Sequence, residues 1–339
     1  MVLAHVVDSW TRDADRHGEP FFTLFFVGGT ASPLFLFLAG LAGSMSAAAK
    51  ARREGSHRAG AAAARARGWE IFILGLVFRV QAQLLGFGPL ANLFKVDMLN
   101  TMGLALVAAS WIWQSSAIRS RRVLLSAAAT AAIGFSTPLV RATPWLAWLP
   151  DPIEAYLRPA GAYTAFPLFP WAGFLFAGAL VGDLVDAVRL MPARNIWLQA
   201  GLSVAAAAGV WLAWLASFQP ALFPTARFWH DSPTFFFIRL GIAVLTIPMA
   251  WLIERLVWQP VLRPVATLGR SSLFVYWIHI EMVYGVIAEP IKAELTVWQS
   301  LLGTIAMTLL TYVLVLLKNR WLEQHELKGA LRWLAPVVR

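Results

Sequence analysis

Nine apolar segments, each close to the length needed to cross a bilayer, divide this 339-residue chain from end to end. They run Phe21–Ala49, Gly68–Phe87, Met98–Gln114, Val123–Val140, Phe166–Leu184, Ile196–Phe218, Phe235–Trp258, Ser272–Ala288 and Val297–Leu317. A hydrocarbon core about 30 Å thick asks for roughly 20 apolar residues in a helix, so each segment reads as a transmembrane helix. Composition agrees: only 14% of residues are charged, 59% are hydrophobic and mean hydropathy is +0.64. A soluble chain of this length needs far more charged surface. The expected fold is therefore all-α, a polytopic integral membrane helical bundle, with no separate soluble domain in residues 1–339.

The net charge of +10 raises nucleic acid as a partner. The basic residues, however, sit at the ends of apolar spans, where they orient a protein in the membrane. Lys50, Arg52, Arg53, Arg58, Arg65 and Arg67 follow the first full span, which places that connection in the cytoplasm. Alternation then puts Arg119, Arg121, Arg122, Arg189, Arg194, Arg255, Arg263 and Arg270 on the same side. The other side receives only Arg12, Arg16, Lys95, Arg141, Arg158, Arg227 and Lys292. Eight further crossings from that cytoplasmic connection return the tail to the cytoplasm. Trp321, Leu327, Leu331 and Leu334 recur near helical spacing among basic residues there, so 321–339 reads as an amphipathic surface helix. The Arg141–Ala165 connection, rich in Pro and aromatics, is expected to cap the outer end, with Trp145 and Trp148 at the interface. No cysteine is present, which excludes disulfides and thiolate metal sites. Arg in excess of Lys, an Ala-rich background and no Asn-x-Ser/Thr acceptor point to a bacterial inner membrane.

The same orientation puts residues 1–20 at the outer face. Ten helical residues rise about 15 Å, half of a roughly 30 Å core. Met1–Trp10 thus reads as the outer half of a truncated first helix, with a longer reading frame expected upstream. His5 and Asp8 interrupt it, and it has no basic n-region, so it does not read as a signal peptide.

Ionisable groups at membrane depth cost several kcal/mol, about 2.5–3.5 for Asp or Lys on insertion scales, and usually mark function. His279 and Glu281 lie inside the run Gly269–Gly285 and, at 100° per residue, point to nearly opposite sides. They serve either a site or helix packing. His5 and Asp8, spaced i, i+3, share one helical face; an imidazole oriented by a carboxylate suits a general base or a nucleophile. His17, in the same outer segment, is the rival. Arg79, with Gln83 one turn on, and Arg239 each need an anion. Asp8, Asp97 and Glu281 are the candidates, and Arg79–Glu281 is one pairing to consider. Asp97, Asn100 and Thr101 share a face where their helix begins, so Asp97 is either a cap or part of a site. Gly28–Pro33 interrupts the first full span, as a packed kink or as backbone lining a cavity. Gly178 and Gly182 form a small-xxx-small pair.

Four motifs occur in order: His5-Val6-Val7-Asp8-Ser9-Trp10, SPLFLFLAG at 32–40, FPLFPW at 166–171 and SLFVYWIHIE at 272–281. The set resembles the bacterial relatives of the heparan-alpha-glucosaminide N-acetyltransferase catalytic domain, within the wider transmembrane acyltransferase superfamily. The resemblance implies transfer of an acetyl or other acyl group from cytoplasmic acyl-CoA to a sugar hydroxyl or amine across the membrane, without a metal. His5 matches the superfamily's helix-one histidine, whose companion Arg would fall upstream of Met1; His17 is nearest to the loop histidine of the sugar N-acetyltransferase. The reading assigns His5 and Asp8 to proton transfer, with His279 and Glu281 polarising the thioester or holding the cavity. Arg79, Gln83, Asp97 and Arg239 line it, and the cytoplasmic arginines stand available for the donor's phosphates. The partners are the bilayer, acetyl-CoA or another acyl-CoA, an envelope glycan or amine acceptor and, as an option, a second copy in a homodimer. Nucleic acid is not among them. The competing class is a small-molecule exporter using the buried His, Glu and Arg as a proton relay. Exporters of that kind show paired broken helices, and here only one clear break occurs.

Overall fold

The computed structural model describes residues 1–86 and 89–324, and among these no β-strand is present. The helices are α1 (Val2–Trp10), α2 (Glu19–Gly29), α3 (Ala31–Glu54), α4 (His57–Gly86), α5 (Met98–Ser115), α6 (Arg119–Ala142), the single turn α7 (Asp151–Glu154), α8 (Leu168–Val188), α9 (Pro192–Ala216), the single turn α10 (Phe228–Asp231), α11 (Pro233–Leu256), α12 (Gln259–Arg270), α13 (Ser272–Tyr284) and α14 (Val297–Gln324). Among the described residues six spans are long and apolar enough to cross a membrane: Glu19–Glu54, which is α2 and α3 together, then α6, α8, α9, α11 and α14. The protein is an all-helical integral membrane protein.

Three of the nine expected spans fall outside those six. α4 carries Glu70 and Arg79 and starts eleven residues before the expected Gly68. α5 has the expected limits, but Asn100, Thr101 and Ser110 dilute its apolar character. The segment expected to run to Ala288 leaves the α-helix at Gly285; α13 has 13 residues and rises about 20 Å. The connection before α13, which carries Arg263 and Arg270, is the amphipathic helix α12. Likewise the basic connection after the first span is no open loop. α3 runs to Glu54 and α4 begins at His57, and Gly55 makes the turn with φ +63°, a left-handed value that costs glycine nothing. The break at Gly28–Pro33 is confined to Thr30. Pro33 lies in the first turn of α3, where a missing N–H costs little. The tail helix expected over 321–339 lies outside the described residues beyond Gln324.

The described chain forms two compact units. One falls within Ser32–Val80 and Pro89–Leu252 and is organised around α8, whose faces are buried on nearly all sides. Gly178 lets α8 and α3 meet backbone to backbone: a Cβ there would stand 1.8 Å from the Phe37 carbonyl oxygen. One on Gly40 would stand 1.9 Å from that of Leu175. The small-residue pair expected from the sequence therefore seats a neighbouring helix. Near the C-terminal end of α8, two buried acids gather arginines. Asp183 receives Arg122 through two hydrogen bonds, Nε at 3.2 Å and Nη2 at 2.9 Å. Asp186 is met by Arg52 at 2.8 Å, Arg119 at 3.0 Å and Arg189 at 3.6 Å. These arginines are anchored to carboxylates rather than free, as a solvated basic patch would have them.

The other unit falls within Met1–Ala31, Gln81–Gly88 and Ile253–Arg339. Here α1 is enclosed by α2, α13 and α14 around Val6, Trp10, Val283, Ala288 and Met307. Gly28 of α2 lies so close that a Cβ would be 2.9 Å from the Ala4 Cα, which makes the kink a packed one.

Gly178→Leu is expected to force α8 off α3 and lower stability by about 1–3 kcal/mol or more, the usual range for overpacking. A thermal-shift measurement in detergent checks this, and an unchanged midpoint would contradict the close approach. Asp183→Ala strands a buried guanidinium and is expected to cost about 3–5 kcal/mol; comparison of its monodisperse yield with that of the parent tests it.

Candidate active site

The polar groups of the unit that holds α1 converge at one end of that helix. His5 and Asp8 lie one turn apart on the same face, and α13 sets its last residue, Tyr284, against both. The Tyr284 hydroxyl donates to Asp8 Oδ2 at 2.9 Å and lies 3.1 Å from His5 Nδ1. Asp8 therefore reaches His5 through a phenol, where the sequence pattern suggested direct orientation of the imidazole by the carboxylate. His279, five residues back on α13, has its ring tilted against His5 with the centroids 5.3 Å apart. Its side chain is fully buried. Its Nδ1 is 2.5 Å from the carbonyl of Val275, and Nε2 is buried with no hydrogen-bond partner among the described residues. Tyr276 packs edge-on to the His279 ring. Glu281 is partly buried further along the same helix. Tyr284 is 39% exposed, whereas the His279 side chain is closed off.

Main-chain bonds hold α1 in this place. Trp10 Nε1 and Ser9 Oγ both donate to the Val283 carbonyl, at 3.1 Å and 3.2 Å. Beyond the helix, Leu295 N donates to Trp10 O at 2.9 Å, Arg12 N to Leu295 O at 2.8 Å and Ala293 N to Ser9 O at 3.0 Å. Arg16 folds back onto the carbonyls of Asp8 and Thr11, and Asp15 accepts from Val297 N where α14 begins. His17 takes no part in this arrangement; it is exposed in the turn between Asp15 and α2. Gln83 is half-buried on α4, and Gln81 near it accepts from Trp277 Nε1 at 2.9 Å.

The other expected site residues belong to the unit organised around α8. Arg79 pairs with Asp97 at 2.9 Å, where Glu281 had been one partner to consider. Asp97 also caps α5, with Oδ1 accepting from Leu99 N at 3.0 Å and Asn100 Oδ1 closing the capping box. Cap and ion pair are thus the same side chain, because the N-terminus of α5 starts beside Arg79. Burial, and then the Asp97 carboxylate, push the nearby Tyr156 hydroxyl above its ordinary range. Arg239 lies over three rings, 5.0 Å from Trp171, 5.2 Å from Phe235 and 5.8 Å from Phe174. It is stabilised by aromatic faces in addition to any anion.

Sequence reasoning missed Tyr284, Asp183 and Asp186. Tyr284 closes a contact across more than 270 residues, and a tyrosine ending an apolar helix reads as an interface anchor. The i, i+3 spacing of Asp183 and Asp186, on the helix that carries Gly178 and Gly182, was the available signal for the two acids.

In a comparison with known families, the family described as heparan-alpha-glucosaminide N-acetyltransferase, catalytic, matches over residues 1–197. No curated protein and no solved structure matches the chain. The matched stretch covers more than half of the chain and contains His5, Asp8, Arg79, Asp97 and both α8 acids, while α13 lies beyond it. The chain belongs to the heparan-alpha-glucosaminide N-acetyltransferase catalytic family, a family of membrane acetyltransferases.

Proposed function

We propose that the protein transfers an acetyl or longer acyl group from cytoplasmic acyl-CoA to a sugar hydroxyl or amine on the far side of a bacterial inner membrane. The observation that carries this reading is the partly buried His5, linked through Tyr284 to the Asp8 carboxylate beside the buried His279. In the proposed reaction His5 Nε2 removes the proton of the acceptor O–H or N–H as that atom attacks the thioester carbonyl. The new C–O or C–N bond forms and the C–S bond breaks. The departing thiolate takes up the proton from the imidazolium, so charge and atoms balance. Positioned proton transfer of this kind contributes about 10²–10⁴-fold. His279 is assigned to closing the cavity behind His5, and Glu281 and Gln83 to its wall as substrate contacts, while Arg79–Asp97 holds the start of α5.

On the proposed orientation, α4, α5 and α13 join the six longer spans in the bilayer, and the C-terminal tail is cytoplasmic. Three guanidiniums around the single Asp186 carboxylate leave positive charge in excess at that end. This supports its facing the cytoplasm and a polyphosphate donor. The exporter reading is set aside because the matching family is one of transferases.

The chain has no cysteine, so thiol release from acetyl-CoA can be followed without background. In membrane vesicles supplied with a panel of amino sugars, His5→Ala is expected to lower turnover at least a hundredfold with normal expression. His17→Ala is expected to keep most activity. The reverse result moves the base into the turn, and no acyl-CoA consumption with any acceptor removes the transferase reading for this chain. For orientation, Ser56→Cys should resist a membrane-impermeant maleimide in intact cells and Thr143→Cys should react. The opposite pattern inverts the topology.

A further inference from the structure

We propose that Tyr284 is a positioning residue of the acyl-transfer site: its hydroxyl carries the Asp8 carboxylate to His5 Nδ1 and leaves Nε2 as the nitrogen that takes the acceptor's proton. The inference rests on the reading of His5 as the base.

A phenol has one proton to give. Ionised Asp8 has none, and at 2.9 Å it receives that proton from Tyr284. The Tyr284 oxygen then offers only lone pairs to His5 at 3.1 Å, so Nδ1 must carry the hydrogen. A neutral imidazole protonated at Nδ1 has its free lone pair at Nε2. His279 obeys the same rule with a different partner: the Val275 carbonyl can only accept, so its Nδ1 is the donor and its Nε2 holds the lone pair. Two neighbouring imidazoles therefore present the same nitrogen, and Tyr284 sets this for the more open of them.

The placement of Tyr284 is over-determined. Val283, immediately before it, is held by Trp10 and Ser9 of α1. Gly285, immediately after it, closes the helix with its N–H on the Glu281 carbonyl at 2.9 Å. The ring also packs edge-on to His5. A residue serving only as an interface aromatic needs its ring; this role needs the hydroxyl.

The test uses the full chain in nanodiscs with 15N-labelled histidine, the His5 signal being identified by its loss in His5→Ala. The parent protein is expected to show His5 protonated at Nδ1. Tyr284→Phe, which keeps the ring, is expected to mix the two tautomers. It should also lower kcat about a hundredfold while leaving KM for acetyl-CoA within a fewfold. His5 protonated at Nε2 in the parent protein overturns the inference even where Tyr284→Phe fails to fold. So does a fully active Tyr284→Phe alongside an inactive His5→Ala. An active His5→Ala removes instead the parent reading of His5 as the base.

Discussion

The hydrogen bonds between Ser9–Arg12 and the 293–295 segment determine where the candidate base can stand. An isolated helix shorter than about 12–15 residues is marginal even with favourable sequence, and α1 has nine. Its geometry therefore comes from its neighbours. Trp10 Nε1 and Ser9 Oγ share the Val283 carbonyl, and Leu295 and Ala293 take up the main chain where the helix stops. Each bond satisfies a backbone group that would otherwise be left without a partner in an apolar setting, at a cost of several kcal/mol. Because the same bonds seize Val283, they also deliver Tyr284, the next residue, to the face of α1 that holds His5 and Asp8. Support of the fold and assembly of the polar chain are one set of contacts.

The unit organised around α8 solves a different electrostatic problem. Asp183, Asp186 and Asp97 are each almost fully buried, and each is met by arginine. Burying one ion alone is prohibitive, and burying a matched, hydrogen-bonded pair is tolerable. Arg122 illustrates what matching requires: two bonds to Asp183, two more to the carbonyls of Ser116 and Ala117, and the Trp113 ring 4.6 Å beneath it. Such a residue is fixed in one rotamer. The arginines thus do two things, biasing the charge of that end and tying α3, α6 and α8 together.

Much of this was legible in the sequence because the responsible signals are local. The long apolar runs give the helices, the Gly178–Gly182 spacing gives the close approach to α3, and His5 with Asp8 is an i, i+3 pair that any helix would align. The turn at Gly55 was not legible, since a run of basic residues between two spans looks the same whether it is helical or open. α12 was hidden for the same reason. Gly285 gave no warning that α13 would end there, because a lone glycine in an apolar run is often tolerated. The partner of Arg79 was ambiguous because composition lists the available acids without saying which helix end starts nearby. Tyr284 was hidden most deeply: the residue is ordinary, and only the tertiary fold gives its hydroxyl two partners.

The two histidines are chemically unequal although they stand side by side. His279 is fully buried, and its Nδ1 bonds a neutral carbonyl of its own helix. A positive charge there would find no counter-ion in that bond and would carry the full desolvation penalty. His5 is only partly buried, and its Nδ1 bond leads through one hydroxyl to a carboxylate. When the proposed base takes a proton at Nε2, the positive charge on the ring strengthens its bond to the Tyr284 oxygen. The phenol in turn gives its proton more strongly to Asp8, and the added charge is spread over three groups. During the proposed turnover only His5 carries the charge, and His279 stays neutral. In the proposed reaction this divides the labour: His5 cycles between base and acid, while His279 keeps its unprotonated nitrogen and excludes water behind it.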